Sequence, residues 1–260
     1  EKYIRDFGYD FVESLLTYQP PHATTVRVNT LKTSAVALEA ELDRLGLKYE
    51  PGKVSGAYTV SGLADIESLQ VYQNGWIAVQ SESAMRAVLA ADIRESESLL
   101  DCCAAPGGKS AFAAALANGN LDILAWDVHA HRIELMRKNF ERLGVTALVG
   151  EHDARVPVPA PEQRFDVVLL DAPCSAMGLM AHSPDIRYTR KPEDIASLAR
   201  LQAELLEVCS AYVKRGGRLV YSTCSINREE NGGVTDVFVA RHSDFEYKDK
   251  PATLYPHTDG

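Results

Sequence analysis

From Ser98 onward, short apolar runs alternate with stretches of helical period, and few architectures accept that pattern. Leu99–Cys103 reads as a strand leading into a helix over Gly108–Ala117, and Ile123–Trp126 as a strand before a helix over Ala130–Leu143. Strand-like runs follow at Ala147–Gly150 and Phe165–Leu170. A helix over Ile195–Val213, a strand at Arg218–Tyr221 and a helix over Glu229–His242 complete the series. Strands separated by helices pair in parallel, so the pattern predicts an α/β fold with a doubly wound, Rossmann-like sheet. Such sheets bind ligands beyond the carboxyl ends of their strands.

The first part of the chain is different. A helical lead over Ile4–Thr17 stops at Pro20 and Pro21, and a strand follows at Thr25–Asn29. A helix then starts after the Thr33/Ser34 cap signal, carries Val36, Leu38, Leu42 and Leu45, and ends near Gly46. Strand candidates at Lys48–Glu50, Ala57–Ser61 and Trp76–Val79 precede a helix over Glu82–Asp92. The expected organisation is a small α+β domain over residues 1–94 and a larger α/β domain over 95–260. The chain begins at Glu1 rather than Met, which reads as a sequence trimmed of its native start.

Composition narrows the function classes. No apolar run reaches the eighteen or so residues of a membrane helix, and no signal segment opens the chain. The five cysteines (Cys102, Cys103, Cys174, Cys209 and Cys224) show neither metal-ligand spacing nor an even count, so reduced thiols in a cytoplasmic protein without a metal are expected. A net charge of −9 weighs against a nucleic-acid partner and favours a small-molecule enzyme. Between residues 187 and 218, however, Arg187, Arg190, Lys191, Arg200, Lys214, Arg215 and Arg218 outnumber the acids, and a local positive field is expected there.

Three strand ends carry groups suited to an adenosyl cofactor. Asp101 to Ser110 forms a Gly-containing turn into a helix, lacking both the Gly-x-Gly-x-x-Gly of a dinucleotide fold and the Gly-x-x-x-x-Gly-Lys of a phosphate loop. Asp127 follows the next strand, where an acid takes ribose hydroxyls, and Asp153 the third, where an acid can accept from an adenine amino group. The bland alternative makes both acids helix caps and Gly107-Gly108 a plain turn.

Two cysteines also sit just past strands: Cys174 in Asp171-Ala172-Pro173-Cys174-Ser175, and Cys224 in Ser222-Thr223-Cys224-Ser225. A thiolate is the nucleophilic form, and a buried small hydrophobe is the alternative fate. Cys102 and Cys209 read as core.

Together the segments DCCAAPGGKS, DAPCSAMG and YSTCSINREEN resemble the Sun/Fmu (RsmB-type) family of RNA cytosine-5 methyltransferases. The resemblance extends to Val26–Thr30, the stretch from Asn74-Gly75 to Ser81, and His182–Arg187. It implies S-adenosyl-L-methionine as cofactor, bound by the loop of Cys103, Ala104, Ala105, Pro106, Gly107, Gly108 and Lys109 with Asp127, Arg132, Asp153 and Asp171. It further implies Cys224 as nucleophile, Cys174 as the group assisting product release, and Asp171 as a catalytic partner of the cytosine ring. The substrate implied is a single-stranded or loop cytosine in RNA, ribosomal RNA first and transfer RNA second, handled by a monomer, with the first domain resembling a small RNA-recognition fold. Residues 254–260 depart from the resemblance, since the family continues past this Asp-Gly into an apolar strand, which is expected to be missing. Longer relatives also carry an RNA-binding helical domain ahead of the region matched here.

Three rivals remain at this stage. In a DNA-type cytosine methyltransferase Cys174 would attack instead, but no Glu-Asn-Val element accompanies it. A nicotinamide-dependent oxidoreductase would want the missing dinucleotide fingerprint. A silent RNA-binding scaffold would not need both thiols and all the acids. The general base that removes the carbon 5 proton stays unassigned.

Overall fold

A computed structural model describes residues 2–20, 23–62, 65–158, 164–249 and 251–255. In chain order the elements are α1 (Lys2–Phe7), α2 (Tyr9–Thr17), β1 (Ala23–Val28), α3 (Ala35–Arg44), β2 (Lys48–Pro51), β3 (Ala57–Ser61), α4 (Gln70–Gln73), β4 (Ile77–Val79) and α5 (Glu82–Leu89). They continue as β5 (Glu97–Asp101), α6 (Gly108–Leu116), β6 (Leu121–Asp127), α7 (Ala130–Leu143), β7 (Leu148–Glu151) and β8 (Phe165–Asp171). Last come α8 (Ile186–Thr189), α9 (Pro192–Ser210), β9 (Val213–Ser222) and α10 (Gly232–Arg241).

The chain packs as two compact units: Glu1–Pro21 with Ala172–Glu204 and Thr223–Gly260, and His22–Asp171 with Leu205–Ser222. The expected boundary near residue 94 does not coincide with the division between them.

The second unit holds both sheets. The larger is wholly parallel in the order β7-β6-β5-β8-β9, so the chain runs outward one way from β5, then returns to its other side through β8. That reversal beside β5 is the switch point at which doubly wound sheets bind ligands. The interior strands have apolar centres, as strands covered on both faces must: Leu99, Leu100, Val167, Val168 and Leu170 are fully buried. The smaller sheet is antiparallel in the order β2-β3-β1-β4, and its β-α-β-β-α-β sequence is the split βαβ arrangement. Ser34 and Ser81 cap α3 and α5 by accepting from the amides of Ala37 and Ala84.

Buried polar side chains tie the small sheet to the helices of the large one. Asn29 donates to the carbonyls of Gly75 and Leu143, both at 2.8 Å. Arg27 lies over the Phe112 ring at 4.5 Å and donates to Gln80, which in turn donates to the carbonyl of Gly108 in the glycine loop. Burial pushes the Arg27 guanidinium down to about 10. Gly75 has φ +73°, and a Cβ there would meet the Arg142 carbonyl oxygen at 1.9 Å, so only glycine allows this approach.

In the first unit, Leu15, Met177, Met180, Ile186 and Ile226 form a separate apolar core with Tyr3, Phe11 and Tyr255 packed on it.

Several boundaries differ from the sequence reading. Gly8 divides the helical lead into two. β5 ends at Asp101, so Cys102 and Cys103 stand in the turn that follows rather than in the strand. The long helix stops at Ser210, and β9 starts at Val213; its polar beginning, Lys214-Arg215-Gly216-Gly217, hid it from an apolar-run criterion, and its register against β8 shifts there. The segment after Cys224 is a 3-10 turn over Arg228–Glu230 before α10. Several cations between 187 and 218 have internal partners, Arg218 with Glu97 and Lys214 with Asp166 at 2.8 Å, which weakens the expected positive field. Residues 256–260, where a departure from the family was expected, lie outside the described residues.

Candidate active site

The glycine loop starts where β5 delivers Asp101 into the interior. This carboxyl is 1% exposed. One oxygen accepts from Ser110 Oγ at 2.6 Å, and the other, Oδ1, is buried without a hydrogen-bond partner. Burial pushes its pKa up to about 6, against the opposing influences of Ser110, Lys109 and the Cys103 amide. Ala104 and Ala105 are buried, Pro106 is exposed, and Gly107 takes φ +97°. A Cβ on Gly107 would meet Phe140 at 2.7 Å, so the loop's approach to α7 requires glycine. Gly108 then opens α6. Cys103 is a half-buried thiol whose pKa burial pushes up, which does not suit it to be a nucleophile.

Two groups of charged side chains surround this loop. Lys109 Nζ donates to Asp171 Oδ2 at 2.6 Å, and Ser222 Oγ donates to the other oxygen at 2.7 Å. Asp171 and Ser222 are paired residues at the ends of β8 and β9. Arg132 reaches back from α7 to the Ala105 carbonyl at 2.5 Å and to Asp127 Oδ2 at 3.3 Å. Asp127 is 3% exposed and accepts from the His129 amide at 3.1 Å; the helix cap itself is His129. Asp153 lies two residues past β7 and is gripped by Arg155 through both oxygens, the shortest contact being 2.6 Å, which holds its pKa below the ordinary value. Thus Lys109, Asp171, Asp127 and Arg132 join the loop, whereas Asp153 turns to a neighbour of its own.

The thiols belong to the other unit. Cys174 Sγ and Cys224 Sγ are 2.9 Å apart, and the Cys224 amide donates to Cys174 Sγ at 3.2 Å. Cys224 is exposed and Cys174 half-buried. The contact with Cys224, followed by burial, pushes the Cys174 pKa up, and either sulfur can be the donor in the pair. The Gly178 amide donates to the Cys224 carbonyl at 2.9 Å, locking one loop to the other.

Sequence reasoning passed over what lies under the thiols. Glu230 is 0% exposed, and its carboxylate accepts from the Ser175 amide, Ser175 Oγ, Ser225 Oγ, Asn227 Nδ2 and Gln202 Nε2 at 2.5–3.1 Å. The available signal was the Cys-Ser dipeptide, which occurs at both thiols. Among the described residues no group of three or more His, Cys, Asp or Glu could hold a metal ion, and no helix is long and apolar enough to cross a membrane.

A parallel sheet in this order, with a glycine loop after its first strand and an acid after its second, defines the Rossmann-like class of ligand-binding domains. The family described as 16S rRNA methyltransferase RsmB/F matches residues 88–257, and the chain belongs to that family. It is 37% identical over 243 residues to the probable ribosomal RNA small subunit methyltransferase B of Bacillus subtilis, covering 92% of this chain and 54% of that protein. It is likewise 37% identical over 233 residues to ribosomal RNA small subunit methyltransferase B of Shigella boydii, covering 89% of this chain and 54% of the relative. The chain therefore spans about half the length of the curated relatives it matches. Among solved structures, a methyltransferase homolog protein from Pyrococcus horikoshii superposes with TM-score 0.80 at 30% identity, over 98% of this chain and 83% of that one. NSun6 from the same organism, solved with SFG, superposes at 0.88 with 21% identity over 99% and 93%, a likeness of fold.

Proposed function

We propose that this chain methylates carbon 5 of a cytosine in RNA, drawing the methyl group from S-adenosyl-L-methionine and passing through a covalent adduct on Cys224. The observation that carries the reading is the pair of thiols in contact, one exposed and one half-buried. Ribosomal RNA is the first substrate, in keeping with the names of the relatives, and transfer RNA the second. The small sheet is read as an RNA-recognition-like domain within residues 1–94, and the protein as a cytoplasmic monomer.

The residues fit the cofactor. Loop 103–109, Asp127, Arg132, Asp153 and Asp171 offer carboxylates and carbonyls, which suit the hydroxyls and amines of an adenosyl amino acid; Arg132 is already committed to Ala105 and Asp127. The orphaned Asp101 Oδ1 is a further buried acceptor beside the loop. When bound, S-adenosyl-L-methionine supplies an electrophilic methyl group.

The protein's own task is to make carbon 5 reactive. Cys224 sulfur adds to carbon 6 of the cytosine, giving carbon 5 enamine character. Asp171, its oxygens already held by Lys109 and Ser222, steadies ring nitrogen 3 as charge builds there. After methylation a base takes the carbon 5 proton and the carbon–sulfur bond breaks. Cys174, whose sulfur lies 2.9 Å from that of Cys224, then donates to the departing sulfur. The DNA-type assignment, with Cys174 attacking, is disfavoured because Cys174 is the more deeply set thiol and Cys224 the exposed one. The base must be unpaired or flipped for both faces to be reached. Incubation with radiolabelled S-adenosylmethionine and total RNA or DNA tests the reading: label should enter RNA as 5-methylcytosine, and label in DNA alone would contradict it.

A further inference from the structure

Glu230 lies outside every role assigned above, yet it is the most heavily hydrogen-bonded side chain described in its unit. Its two oxygens divide the work. Oε1 accepts from the Ser175 amide at 2.7 Å and Gln202 Nε2 at 3.1 Å. Oε2 accepts from Ser175 Oγ and Ser225 Oγ, both at 2.5 Å, and from Asn227 Nδ2 at 3.0 Å. Ser175 follows Cys174 and Ser225 follows Cys224, so one carboxylate grips the residue next to each sulfur.

Its surroundings favour the ionised form. Each serine hydroxyl has one hydrogen; both oxygens lie 2.5 Å from Glu230 Oε2 and 3.1 Å from one another, a contact in which either can donate. The serine lone pairs face Asn227, whose Nδ2 lies 3.2 Å from Ser175 Oγ and 3.0 Å from Ser225 Oγ, and whose own amide donates to Ser225 Oγ at 3.1 Å. Tyr3 donates to Asn227 Oδ1 at 2.8 Å and so fixes which end of that amide faces the serines. The Ser175 amide, Gln202 and Asn227 can only donate toward Glu230 and both serine hydroxyls can do so, an arrangement that favours the ionised carboxylate. Burial acts to raise its pKa, but the hydrogen bonds from Ser175, Ser225 and Asn227 outweigh it and hold the group below the ordinary value. Charge-assisted bonds of this kind are short and specify geometry.

We propose that Glu230 is the positioning residue of the thiol pair, its carboxylate setting the spacing of Cys174 and Cys224 by clamping Ser175 to Ser225. The spacing matters for catalysis under the reading given above, but the clamp itself is testable without methyl transfer. Glu230→Gln has the same shape and turns an amide NH2 toward the Ser175 amide and Gln202 in one orientation, or toward Asn227 and two serine hydroxyls that must turn their hydrogens away in the other. The chain separating those donors must then give way, and the sulfurs move apart.

The readout is the equilibrium of the whole chain with glutathione. Oxidised glutathione takes two electrons from the Cys174 and Cys224 thiols, giving one protein disulfide and two reduced glutathione molecules. The Cys174–Cys224 crosslink is quantified by peptide mass mapping, well below the melting temperature. Sulfurs already at 2.9 Å need little movement to reach bonding distance, about 2.05 Å. Glu230→Gln should reduce the equilibrium constant for that crosslink by about tenfold or more. Ser225→Ala, which keeps the carboxylate and removes one arm of the clamp, should shift it the same way by a smaller factor. It carries the test alone should the first variant fail to fold. A purely structural role predicts lower melting temperatures with an unchanged crosslink equilibrium in the folded protein. That result in Glu230→Gln, or in Ser225→Ala where the former does not fold, would overturn the proposal.

Discussion

Two buried carboxylates, one in each unit, behave in opposite ways. Asp101 enters the interior at the end of a strand, finds a serine for one oxygen and nothing for the other, and is driven toward its neutral form. Glu230 is as deeply buried but meets five donors, and its charged form is favoured. Burial is common to both; the count of donors decides which state wins. The glycine loop therefore keeps an unsatisfied acceptor at the ligand-binding edge of the sheet, whereas the thiol loops are braced by a finished network. One region is prepared to gain a partner and the other to hold still.

The largest expected effect follows from disturbing the finished network. Glu230→Gln should cost several kcal/mol, at about 1–3 for each buried donor left without its acceptor, whereas Asp101→Asn should cost far less at neutral pH because it removes an unwelcome charge. Urea unfolding at pH 7.5 compares the two, and equal losses would erase the distinction.

The pH dependence should separate them next. The folded pKa of Asp101 is raised from 3.8 to about 6, so its contribution is fully present below the unfolded value and is lost as pH rises through about 6. The amount is on the order of 2–3 kcal/mol. For Glu230 the folded pKa is depressed from 4.5, so its contribution is present above that value and lost as pH falls through the folded one. Asp101→Asn should flatten the stability profile between about pH 4 and 6, while Glu230→Gln should flatten it on the acid side. A profile unchanged by either substitution would show that the two carboxyls do not differ in this way.

Smaller effects grade the acids of the loop. Asp127→Ala should weaken S-adenosylmethionine binding by about 1.5–3 kcal/mol, the scale for bonds to a charged group. Asp153, engaged by Arg155 and partly exposed, should cost about 1 kcal/mol or less on the same change. Calorimetry that reversed this order would mean that Asp153 leaves Arg155 when the cofactor arrives.

The same contrast explains what could be read from the sequence. The glycine loop, Asp127, Asp171 and both thiols stand directly after apolar runs, where strand ends and their chemistry coincide in a short stretch of chain. The parallel sheet was legible for the same reason. The clamp draws on Tyr3, Ser175, Gln202, Ser225, Asn227 and Glu230, which only the folded chain brings together, and no periodicity marks such a set. The beginning of β9 escaped because its polar Lys214 is held by a long-range partner, Asp166, and Arg215 is exposed, rather than either being held by apolar burial. Asp153 was placed correctly after the third strand, yet Arg155, two residues on, claims its carboxylate.

The central claim, that Cys224 attacks and Cys174 releases, has a direct test on denaturing gels. Cys174→Ala should still form the bond from sulfur to carbon 6 and methylate carbon 5, but elimination should stall and the protein should accumulate as a slow-migrating covalent complex with RNA. Cys224→Ala should form no complex and transfer no methyl group. A complex that accumulates in Cys224→Ala and is absent from Cys174→Ala would reverse the roles of the two thiols and contradict the account.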